Sequence, residues 1–131
     1  MKRSREEILL TLKETLAQRP EILFAYLFGS FVEEEKFRDL DVDVYVHEAV
    51  AVPDSFEYAV RLAGELGLKM GYPVDVILMN TAPDHLIYSI SKGTVLVDRD
   101  EDFRVDWLIN AWNRYFDIQP KRRQAIVDML N

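Results

Sequence analysis

The apolar positions of this chain change period several times, and each change marks an element. Ile8, Leu9, Leu12 and Leu16 recur at helical spacing behind Ser4-x-x-Glu7, a capping-box pattern, and Pro20 stops that helix. Residues 23–28 are an unbroken apolar run, a strand greasy on both faces and so central in a sheet, delivering the chain to Gly29-Ser30. After a short helix or loop through 31–40, Asp41-Val42-Asp43-Val44-Tyr45-Val46 alternates with period two. Pro53 and Asp54 open a helix containing Phe56, Val60, Ala63 and Leu66, with Gly67 expected as its C-cap. Residues 73–78 read as a strand, a helix follows from about Pro83 to Lys92 and ends at Gly93, and Thr94–Val97 is a short strand. The expected fold class is α/β (α+β): a small mixed sheet of about four strands flanked by helices, with a helical C-terminal tail.

That tail, 101–131, is unusual. At 100° per residue, Phe103, Val105, Trp107, Leu108, Ile109, Ala111, Trp112, Tyr115 and Phe116 cover roughly 240° of a helix, where one buried stripe needs only about 100°. One side can pack on the domain, and the excess is expected to meet a second surface on a partner or a second copy of the chain.

Composition narrows the setting. At 131 residues the chain is expected to be a single domain, 1–131, with 49% apolar and 30% charged residues, ordinary for a globular protein. No run is long enough to span a bilayer, no signal-peptide core is seen, and there are no cysteines for disulfides or thiolate metal sites, so a cytoplasmic location is expected. The formal net charge of -7 argues against a long nucleic acid as partner. Lys121-Arg122-Arg123 reads as a solvated helix start. An acidic chain that handles a polyphosphate needs metal ions to mask its own charge.

The carboxylates supply a place for such ions. Residues two apart on a strand share a face, roughly 6.5–7 Å apart, so Asp41 and Asp43 point one way while Val42, Val44 and Val46 point the other. Side-by-side carboxylates on a rigid strand suit one divalent cation, or two about 4 Å apart, as in phosphoryl and nucleotidyl transfer. Gly29 lets backbone approach phosphate oxygens closely. Asp75 points away from the Val74 face of its own strand and can join Asp41 and Asp43 if the two strands are neighbours. Asp39 reads as a turn residue. His47 and His85 lack a ligand partner at metal-binding spacing and read as surface residues, and Tyr45 lies on the aspartate face, suited equally to a nucleotide site or to a core.

With Gly29-Ser30, ten intervening residues, Asp41-Val42-Asp43 and then Asp75, the chain resembles the nucleotidyltransferase superfamily related to DNA polymerase beta, and within it the minimal nucleotidyltransferases. The resemblance covers about 22–97 and implies the polymerase beta-like fold. It implies Mg2+ in a two-ion site held by Asp41, Asp43 and Asp75 as the catalytic carboxylates, ATP as substrate, and Gly29 and Ser30 on the phosphates. The spacer departs from the family pattern: Glu33-Glu34-Glu35 and Leu40 stand where relatives carry small or basic residues and a serine, and the acidic triplet is expected to weaken nucleotide binding. The tail Arg114-Tyr115-Phe116-Asp117-Ile118-Gln119-Pro120 is similar to the C-terminal segment of minimal nucleotidyltransferase antitoxins, which pair with HEPN-domain ribonuclease toxins and transfer AMP to a toxin tyrosine. Two further readings stay open: a homodimeric small-molecule nucleotidyltransferase resembling aminoglycoside-modifying enzymes, and an antitoxin that acts by binding alone.

Overall fold

A computed structural model describes residues 4–29, 39–48, 55–116 and 123–131. Four strands, β1 (Ile22–Phe28), β2 (Leu40–Val46), β3 (Val74–Leu78) and β4 (Thr94–Asp98), form one sheet in the order β3-β2-β1-β4. The doubly apolar strand β1 takes a central position, as expected, and β2 lies beside it as the other central strand. β1 pairs antiparallel with β2 and β4, whereas β2 and β3 run parallel. That parallel pair requires a crossover, which α2 (Ser55–Met70) provides.

The sheet is covered on both faces. On one, Ile8, Leu12 and Leu16 of α1 (Arg5–Ala17) and Leu62, Leu66 and Met70 of α2 bury Val42, Val44 and Val46 of β2 and Val74 and Leu78 of β3. On the other, α3 (Asp84–Ile90) and α4 (Glu101–Phe116) cover Phe24, Tyr26 and Tyr45. Ser4 caps α1 by accepting a hydrogen bond from the Glu7 amide at 3.1 Å, and Arg99 closes the other end by donating to the Ala17 and Arg19 carbonyls.

Two expectations about helices change. α2 runs through Gly67 to Met70, and Gly71, at φ +74°, ends it, because Leu66 and Met70 continue the buried stripe one turn further. Phe56 and Val60 of that helix face solvent, at 80% and 54% exposure. The wide apolar arc of α4 meets its second surface within the chain: α5 (Arg123–Leu130) lays Ile126 over Val105, Ile109 and Trp112. Phe103, Tyr115 and Phe116 remain exposed beyond it.

Arg104, near the start of that apolar stretch, is buried and fully engaged. Its guanidinium donates to the Tyr26 hydroxyl at 2.7 Å, to Asp98 at 2.9 Å, to the Leu130 carbonyl at 3.4 Å and to Asn131 at 3.2 Å. One side chain thus ties α5 to β1 and β4.

Candidate active site

The carboxylates gather where the C-terminal end of β1 meets the N-terminal ends of β2 and β3. In the parallel register Asp41 lies opposite Asp75, and Asp43 lies opposite Ile77. On the other side of β2, Phe28 pairs with Asp41 and Tyr26 with Asp43. Alternation therefore places Asp41, Asp43 and Asp75 away from the valine face and toward the α3/α4 side.

Carboxylate oxygens of Asp39, Asp41 and Asp75 converge within 4.8 Å of one another. The sequence suggests only a turn at Asp39. It precedes β2 by one residue and, two before Asp41, follows the same alternation, which was the available signal. Asp43 lies deeper on the strand and outside that trio. It is fully buried, and among the described residues neither of its carboxylate oxygens has a hydrogen-bond partner.

This arrangement disfavours ionisation. Burial, and then the charge of Asp41, push the Asp43 carboxyl up to about 8. Asp41 is also raised, by burial first and by Asp39 and Asp75 next. A buried acceptor left without a donor is costly, and native proteins leave few such groups. The orphaned oxygens of Asp43 beside three converging carboxylates fit a hard divalent cation, which takes oxygen ligands only.

Gly29 completes the geometry. Its φ of +90° is left-handed, and a side chain there would overlap Oδ2 of Asp41. The bare backbone thus lies directly against the first aspartate. Ser30 lies outside the described residues, as do Glu33-Glu34-Glu35, Lys36 and Arg38. Leu40, where the related sequences carry serine, is fully buried in the α1/α2 core.

Tyr45 belongs to the core. Its ring stacks on Phe24 at 4.9 Å and meets Trp107 edge-on at 5.1 Å. His47 and His85 are exposed and outside the acidic cluster. No helix among the described residues is long and apolar enough to cross a membrane.

The fold has known counterparts. A chain of the complex between a tri-AMPylated Shewanella oneidensis HEPN toxin and an MNT antitoxin superposes with a TM-score of 0.69 at 18% identity, over 98% of this chain and 100% of that one. A toxin–antitoxin structure with AMP-PNP gives 0.65 at 21% identity, over 96% and 98%. The toxin–antitoxin MntA–HepT gives 0.62 at 19% identity, over 97% of each chain. At these identities the likeness is one of fold. No protein of curated function matches the chain in sequence. The family model for polymerase beta nucleotidyltransferases, however, matches residues 11–102, from within α1 through β4 to the start of α4, and so includes every carboxylate described above. The chain belongs to the polymerase beta nucleotidyltransferase family.

Proposed function

We propose that this chain transfers AMP from ATP, with Mg2+, to a tyrosine hydroxyl of a HEPN-type toxin and so serves as its cytoplasmic antitoxin. Family membership supports the nucleotidyl transfer. The fold it shares with MNT antitoxins, one of them in a complex whose HEPN toxin carries three AMP groups, supports the partner. The observation that carries the reading is the buried Asp43 carboxylate, unpartnered at both oxygens, beside the converging Asp39, Asp41 and Asp75.

In this reading Asp41 and Asp43 would hold one Mg2+ at the triphosphate, and Asp75 would join them in holding a second. Bound there, Mg2+ would neutralise the triphosphate and lower the pKa of the acceptor hydroxyl. Backbone at Gly29, with Ser30 beside it, takes the departing phosphates. Asp75, exposed on the edge strand, faces the incoming hydroxyl. The acceptor oxygen forms a bond to the α-phosphorus as the bond to the bridging oxygen breaks. Pyrophosphate leaves and the acceptor proton passes to solvent. No covalent enzyme intermediate is required.

The test is direct. The chain, its HEPN partner and MgATP are incubated together and both proteins are weighed. A gain of one or more AMP masses on the partner is expected. An unmodified partner, under conditions where the chain binds nucleotide, would remove this function.

A further inference from the structure

The outermost carboxylate of the cluster is aimed by the residue that follows it. Leu40 is fully buried in the α1/α2 core, pairs with Val74 and donates its amide to the Pro73 carbonyl at 2.9 Å. Alternation about a residue so fixed turns Asp39 to the opposite face, the face of Asp41 and Asp43. Position 39 thereby continues the row of aspartates past the end of β2.

Oxygens of Asp39, Asp41 and Asp75 lie within 4.8 Å of one another. Oxygens on opposite sides of a divalent cation stand about 4–5 Å apart, so one ion can touch all three. Asp39 is also the stronger neighbour. After burial, its charge raises the Asp41 carboxyl more than the charge of Asp75 does. Acidic residues gathered at a surface can be a solvated patch and nothing more. What sets this group apart is Asp43, two residues further along the row, fully buried with both oxygens unpartnered among the described residues. The row thus runs inward from half-buried Asp39 to an acceptor that the described chain leaves unsatisfied, which calls for a cation.

We infer that Asp39 is a metal ligand: with Asp41 and Asp75 it holds one divalent cation by protein oxygens alone, before any nucleotide binds. Three carboxylates fill half of an octahedral shell and leave about three positions for water. In the proposed function this is the ion that Asp75 shares. The inference rests on that function only for the use to which the ion is put.

The probe is Mn2+ alone, titrated into the whole chain without nucleotide and followed by electron paramagnetic resonance. Wild type is expected to bind it, and Asp39→Ala to weaken binding at least about tenfold, because affinity follows the number of charged ligands. Glu14→Ala, which removes the same charge from the exposed side of α1, leaves the Kd unchanged. Pulsed resonance in D2O then counts the waters on the bound ion at saturating Mn2+. Asp39→Ala is expected to carry an additional water where the carboxylate was, a change that a merely nearby charge would not produce. Metal-free thermal melts of Asp39→Ala should lie no lower than wild type, since a repelling charge has gone. Should they lie lower, the isosteric Asp39→Asn repeats the Kd measurement and decides. Wild-type affinity in the Asp39 variant, an unchanged water count, or a wild-type chain that takes up no Mn2+ without nucleotide each overturns the inference. AMP transfer is assayed separately. Transfer by a chain whose Mn2+ affinity ignores Asp39 keeps the proposed function and loses this ligand, whereas Mn2+ held through Asp39 without transfer does the opposite.

Discussion

Two ionisable side chains are buried among the described residues, Arg104 and Asp43, and they are opposites. Arg104 reaches Tyr26, Asp98, Leu130 and Asn131, and its guanidinium is held charged by the neighbouring Tyr26 and Asp98 despite burial. Asp43 lies across the β1–β2 ladder from that same Tyr26 and has no partner at either oxygen. A buried charge that is fully paired fastens elements together. An acidic group left unpaired holds its proton instead, until something the fold alone does not supply stabilises its charged form. On the proposed function, the contrast separates a fastening for stability from a site for chemistry within one face of a small sheet.

The sharpest way to break the comparison is to replace each with a side chain that cannot ionise. Asp43→Asn should lower AMP transfer by about three orders of magnitude or more, several kcal/mol of transition-state stabilisation, with circular dichroism unchanged. Arg104→Met should do the reverse. It leaves Asp98 and the Tyr26 hydroxyl without their donor, and is expected to lower unfolding stability by about 3–5 kcal/mol in urea titration, while transfer per folded molecule is retained. A variant at either position that lost stability and transfer in equal measure would erase the distinction.

The smallest effect is in pH. Asp43 titrates near 8 in the folded chain and in the ordinary carboxylate range when unfolded. Between those values the folded state holds a proton that the unfolded state has released. Stability without metal should therefore fall as pH rises from about 5 to about 8, by at most about 1.4 kcal/mol per pH unit. Asp41, raised by burial and by its acidic neighbours, acts in the same direction. Asp84, lowered by its hydrogen bonds from Arg114, loses its contribution only at more acidic pH and leaves this window clean. The measurement is a series of metal-free thermal melts, and Asp43→Asn should flatten the slope.

Much of this was legible in the sequence because it depends on strict local periods. Alternation alone put Asp41 and Asp43 opposite the valines, and a doubly apolar strand belongs in the middle of a sheet, where β1 lies. The pairing of Asp41 with Asp75 depended on a strand adjacency that periodicity does not encode, and the register supplied it. Asp39 was missed because it precedes the strand whose alternation would have flagged it. The α4 arc was misassigned in part because a helix pattern reports how much surface is covered and not by what. Here α5 covers a share of it. Arg104 left one trace, a lone cation between Phe103 and Val105.

The parallel match of β2 with β3 carries a constraint on how such a chain can change. Leu40 donates to the Pro73 carbonyl at 2.9 Å, at the end of the ladder where Asp41 meets Asp75. Segments outside the ladder can gain or lose residues without disturbing that alignment. A slip of a single step between the two strands would turn Asp75 inward among the leucines and valines and bring Val74 or Val76 out in its place. Changes of length are therefore expected outside the ladder between those two strands and not within it.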